Sequence, residues 1–151
     1  MKNYIWIVLV VALIVVPASY RVALAEEAKG EVKCTQSMDI TDPKFGSTAD
    51  VGVPVRFSDL GCAFVFRKTA CATEQMHFDN SASAKDFYTG EPVKMDGASF
   101  VIDEKLATPL GYGLAAFKDK ASAERYVSEN GRGKIYTYSE LNDMKLTRQA
   151  Q

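Results

Sequence analysis

The chain is short of the residues on which many active sites depend. Its 151 residues include one histidine, one tryptophan and three cysteines. No two cysteines have C-x-x-C spacing, which excludes a zinc ribbon and a thioredoxin-like redox motif. The single histidine, His77, has no neighbours that would make it the base of a nucleophile–base pair. Basic residues are not in excess: 18 Lys and Arg face 19 Asp and Glu. The chain therefore lacks the basic balance that nucleic-acid binding requires. There is also no apolar run of the roughly 20 residues needed to cross a bilayer.

The longest apolar run, Ile5–Val16, has a different meaning. It follows Lys2 and is itself followed by Pro17 and by Ala23-Leu24-Ala25. A basic start, a short apolar stretch and an A-x-A end predict a secretory signal peptide over residues 1–25, cleaved before Glu26. The alternative is an uncleaved anchor; the proline and the small residues favour cleavage. No cysteine opens the mature chain, and the segment before Cys34 is too polar for lipid attachment, so no lipid anchor is predicted. The expected location is the periplasm. The mature chain keeps 16 basic and 19 acidic residues, a net charge of −3. Its cysteines, Cys34, Cys62 and Cys71, are odd in number, which leaves at least one without an intramolecular partner.

Residues 26–33 are charged and predict a flexible segment. A strand is expected at 53–57, with Asp59 as the N-cap of a helix running through LGCAFVFRKTACATEQ. That helix is apolar nearly all round as far as Phe66, so it should be buried on more than one side. Residues 84–95 read as a strand with a turn at Thr89-Gly90, and 96–103 as another strand. The stretch TPLGYGLAAF (108–117) combines a proline, two glycines and an apolar run. Pro109 holds Thr108 extended, and Gly111 and Gly113 allow positive φ or close backbone approach. TPLGYG is thus a bend, and LAAF is a strand entering the core. Asp119 caps a second helix, KASAERYVSEN, which Gly131 stops. A last strand is expected over 133–141.

The two halves resemble each other. Phe57-Ser58-Asp59 and Phe117-Lys118-Asp119 each lead from a strand into a helix, and KDFYTGE and KIYTYSE follow. The fold expected is α+β, with two similar ββαβ half-domains over residues 34–95 and 96–144 and a tail at 145–151.

DFYTGEPV (86–93), FVID (100–103), TPLGYGLAAF, KASAERYVSENG and GKIYTYSEL together resemble the NosL family, accessory proteins of nitrous oxide reductase maturation. Met38-Asp39-Ile40, Asp42-Pro43-Lys44 and FSDLGCAF extend the resemblance over nearly all of the mature chain. The resemblance implies paired ββαβ units, export, and Cu(I) carried to a periplasmic copper enzyme or its assembly machinery. Members of the family usually place cysteine two residues before the N-terminal methionine and often have T-P-M-G in the second half. Here Gln36 and Leu110 stand at those positions.

Cu(I) prefers polarizable sulfur. Cys34 and Met38, four residues apart, point to one side of an extended segment. They are the first candidate metal ligands; the bland alternative is a free thiol and a surface methionine. Met76 and His77, with Cys71 nearby, are the second candidates, against a plain solvated helix end. On one continuous helix Cys62 and Cys71 face opposite ways, roughly 13 Å apart along the axis, and cannot pair. Cys62 then reads as a buried small hydrophobe. A break near Thr69 would free Cys71 to pair with Cys34. The tyrosines at 88, 112, 126, 136 and 138 read as packing residues, and Asp103, Glu104 and Glu140 as solvated surface. Three functions follow: a copper carrier; a metal-free interaction module on the same scaffold, suggested by Gln36 and Leu110; and, least favoured, an enzyme like the organomercurial lyases, which would need Cys62 and Cys71 to converge.

Overall fold

The computed structural model describes Cys34 and residues 42–149. The expected signal peptide, the segment 26–33 and Met38 lie outside the described residues.

The described chain begins with an antiparallel hairpin, β1 (Ser47–Asp50) and β2 (Pro54–Phe57), whose alternate residues are buried. Two helices follow, α1 (Leu60–Thr69) and α2 (Ala72–Ser81). A second hairpin joins β3 (Ser83–Lys85) to β4 (Pro92–Lys94). After a short 3-10 turn come β5 (Ser99–Ile102), β6 (Leu114–Phe117), α3 (Lys120–Asn130), β7 (Lys134–Thr137) and α4 (Tyr138–Asp143). The strands form two antiparallel sheets, ordered β2-β1-β3-β4 and β6-β5-β7. The class is α+β.

Several expectations hold to the residue. The LAAF run is β6 and is buried at every position. Leu114 and Ala116 face one core, with Phe57, Phe64, Phe78, Phe100 and Leu141, while Ala115 and Phe117 face another, with Val101, Ala123 and Tyr126. A strand covered on both faces needs a continuous apolar run in place of alternation. α3 spans the expected residues: Asp119 accepts from Ser122 N at 2.7 Å, and Gly131 ends the helix at φ 64°. The first turns of α1 are buried all round, from Leu60 to Phe64.

Three expectations are corrected. The helix after Asp59 is two helices, because Ala70 and Cys71 turn extended (ψ 154° and 164°). Thr69 Oγ donates back to Phe66 O at 3.0 Å, and Glu74 accepts from Cys71 N at 3.2 Å, so both new ends are capped. The last strand stops at Thr137 and does not run to 141. Thr137 and Glu140 form a capping box that starts α4, the S/T-x-x-E signature of a helix start. KDFYTGE and KIYTYSE are also not equivalent: the first begins at the last residue of β3 and turns, whereas the second begins β7. With two helices and a fourth strand in the first sheet, the elements of the two halves do not repeat one for one.

The sheets meet where the chain leaves β3. Phe87 N donates to Ala116 O at 2.8 Å, and Asp86 forms an isolated parallel bridge with Ala116. The Asp86 side chain, 1% exposed, accepts from Lys118 N at 2.8 Å and from Thr89 N and Oγ at 2.9 Å. Burial pushes its carboxyl up, but these donors outweigh burial and hold its pKa below the ordinary carboxylate value.

Candidate site at the entry of the first helix

Asp59 does two jobs. Its Oδ1 accepts from Gly61 N at 2.8 Å, the N-cap expected from sequence. Its Oδ2 accepts from Leu110 N, also at 2.8 Å, which ties the TPLGYG bend to the start of α1. The carboxylate is fully buried. The glycines of the bend behave as expected: Gly111 and Gly113 have φ of 76° and 61°. A Cβ on Gly113 would lie 2.5 Å from Asp103 O. Gly61 has a different role, since a Cβ there would run into the Tyr112 ring. The bend can therefore bring Tyr112 close against the first turn of α1.

Cys34 sits against this assembly. It is disulfide-bonded to Cys62, with the Cα atoms 5.2 Å apart. This corrects Cys62 as an unbonded hydrophobe and the pairing of Cys34 with Cys71. Although the helix does break after Thr69, Cys71 is left as a free, exposed cysteine at the start of α2. The Cys34 sulfur lies 3.4 Å from Tyr112 Oη and 3.8 Å from an Arg148 guanidinium nitrogen. That guanidinium also stacks over the Tyr112 ring, 5.5 Å from its centre. The tail packs on the bend as well: Gln149 N donates to Gly111 O at 2.7 Å. Beside it a groove of about 460 Å³ is lined by Ile102, Tyr112, Tyr136, Met144 and Leu146, among others.

Met76 and His77 do not join this group. Met76 is 55% exposed on α2, and His77 beside it is exposed too. Adjacent helical residues point about 100° apart, so the two do not aim at one ion. Among the described residues no three His, Cys, Asp or Glu side chains are arranged to hold a metal. In the disulfide form Cys34 offers no thiolate. Cys62 and Cys71 do not converge, which removes the geometry that the lyase-like enzyme needed.

Asp103 is also corrected. It is not solvated surface but 1% exposed, accepting from Tyr126 Oη at 2.9 Å, Arg132 Nε at 3.0 Å and Lys105 N at 2.9 Å. Burial raises its carboxyl, but the donors prevail and keep its pKa low, while burial and this same bond push Tyr126 up to about 12. The tyrosines do pack, yet each of Tyr88, Tyr112, Tyr126 and Tyr138 also makes a polar contact, Tyr138 through Asp79, which pairs with Arg67. The roles of Arg148 and Cys62 left no signal in the sequence, because their partners lie 114 and 28 residues away.

Asp59, the disulfide and the tail thus hold the bend, the first turn of α1 and Cys34 together as one packed assembly. The profile of the NosL family matches residues 22–146, and the chain belongs to that family. The family is an accessory, chaperone-like one and not a known enzyme family; its members are associated with copper and are typically exported, so membership suggests a copper-related accessory role. No curated protein and no solved structure matches the chain significantly. Among the described residues no helix is long and apolar enough to cross a membrane.

Proposed function

We propose that this is an exported accessory protein that carries Cu(I) to a periplasmic copper enzyme such as nitrous oxide reductase, or to its assembly machinery. Cys34 is the central ligand and Met38 its partner. The observation that carries this reading is the position of Cys34, on Tyr112 of the family-signature bend. The matching strand orders, β2-β1-β3 and β6-β5-β7, support reading the scaffold as two ββαβ units whose first copy has gained a helix and an edge strand.

The test is a competition titration of reduced protein against a Cu(I)-specific chelator. The expected outcome is tight uptake by the parent and at least tenfold weaker binding by the Cys34→Ser/Met38→Leu double variant. Equal binding by the two proteins would remove the site.

A second reading is a metal-free interaction module on the same scaffold. It is favoured by Leu110, which keeps the bulk of a methionine at the bend without its sulfur, and by the disulfide that occupies Cys34. Reduced protein that takes up no Cu(I), yet retains a periplasmic partner, is the outcome that selects it. A Leu110→Met variant that gains Cu(I) affinity selects the copper reading.

A further inference from the structure

We propose that Cys34 and Cys62 form a redox-gated metal site: closed as a disulfide it excludes metal, and reduced by a dithiol it holds one soft monovalent cation of the Cu(I) class between two thiolates. This rests on the copper-carrier reading and adds Cys62 as a sulfur ligand beside Cys34.

The geometry suits both states. The Cα atoms are 5.2 Å apart. Rotation about the two Cα–Cβ bonds places the sulfurs on either side of an ion at thiolate–metal distances of about 2.3 Å. Cys62 is 2% exposed, whereas Cys34 is half-buried, so the site has a closed side and an open side. An ion held there is shielded behind α1 and reachable from the Cys34 side. Cys62 is also fixed, since it lies in the first turn of a helix whose entry Asp59 caps and whose neighbour Gly61 carries Tyr112.

Charge favours the same assignment. Two thiolates and one monovalent cation carry a net charge of −1. The Arg148 guanidinium, 3.8 Å from the Cys34 sulfur, and the N-terminal end of α1 beneath Cys62 both offset it. Tyr112 Oη, at 3.4 Å, is placed to donate to the Cys34 sulfur. Asp59 opposes it, but each Asp59 oxygen already accepts from a backbone N–H.

The opening reaction is thiol–disulfide exchange. One thiolate of a dithiol reductant attacks Cys34 Sγ, the less buried sulfur, and the Cys62 thiolate leaves. The second thiolate of the reductant then displaces Cys34. The reductant departs as its own disulfide, two electrons have passed to the protein, and the two protons of the dithiol are taken up by Cys34 and Cys62. Binding of one Cu(I) releases those two protons. The emptied pair closes again by the reverse exchange with an oxidised dithiol (a disulfide), which takes up the two electrons and two protons, so loading is coupled to a supply of reduced dithiol.

The test uses the Cys71→Ser protein, so that only this pair can respond. Oxidised and reduced samples are titrated with Cu(I) in competition with a chelator, and proton release is followed in parallel. The expected results are no uptake by the oxidised protein, one Cu(I) and two protons for the reduced protein, and binding at least 100-fold weaker after Cys62→Ser. Equal uptake before and after reduction overturns the gate. Release of one proton per copper overturns the pair and leaves a single-thiolate carrier; because it is read on protein with both cysteines, it does not depend on whether Cys62→Ser folds. If the reduced protein binds no Cu(I), the copper-carrier reading falls together with this one.

Discussion

Asp59 and Asp119 occupy the same point in two similar sequences, each two residues after a buried phenylalanine and each capping the helix that follows. Their surroundings differ. Asp59 is fully buried and holds Leu110 N from the far half of the chain as well as its own helix. Asp119 is exposed and caps α3 alone. One local solution thus serves as a joint between halves in one copy and only as a helix start in the other. The candidate site lies at the joint, where the bend, α1, Cys34 and the tail come together.

The sharpest way to break this comparison is Asp59→Ala. It removes a cap and orphans Leu110 N in the interior, and should cost about 3 kcal/mol in chemical denaturation. It should also loosen Tyr112 and expose the disulfide to reductant. Gly61→Ala comes next, because its methyl would displace Tyr112 from α1. A loss of about 1–3 kcal/mol is expected. Rescue by Tyr112→Ala in the double variant would show that the two residues oppose one another directly.

Acid is a milder probe. Asp86 and Asp103 have folded pKa values held below the ordinary carboxylate range. Their stabilisation is therefore complete above the unfolded value of about 3.9 and is lost as pH falls through the lower folded values. Unfolding free energy should stay level above about pH 4.5 and drop below about pH 4. Asp103→Asn should flatten part of that drop, and an unchanged acid slope would remove Asp103 as a contributor. The smallest effect is expected from Asp119→Ala, which should lower the denaturation midpoint less than Asp59→Ala and leave disulfide accessibility unchanged. Equal losses at the two aspartates would end the distinction between joint and cap.

What the sequence disclosed, and what it did not, follows the range of the interactions. β6 and α3 were legible because an apolar run, an aspartate cap and a glycine stop are all local. The break at Ala70 was not, since it involves neither proline nor glycine and is set by the caps on both sides. α4 had a readable signal in Thr137 and Glu140, masked by the alternating Ile135-Tyr136-Thr137-Tyr138. The candidate site was half visible. Cys34 and TPLGYG stood out individually, but nothing near either of them indicates that Cys62, Arg148 and the second oxygen of Asp59 would meet there. Asp103 looked solvated for the same reason, because Tyr126 and Arg132 reach it from 23 and 29 residues away.

The seam at residues 86–87 has a consequence for how the molecule breathes. Among the described residues one backbone bridge, between Asp86-Phe87 and Ala116, joins two sheets whose ladders otherwise run within each sheet. Splaying the sheets breaks few bonds there, whereas opening either sheet internally breaks a whole ladder. The amide of Phe87 should therefore exchange with solvent deuterium well before those of β5, which are paired on both sides. If so, the two sheets act as separate leaves on a common spine, and the joint at Asp59 is the clasp that keeps them shut.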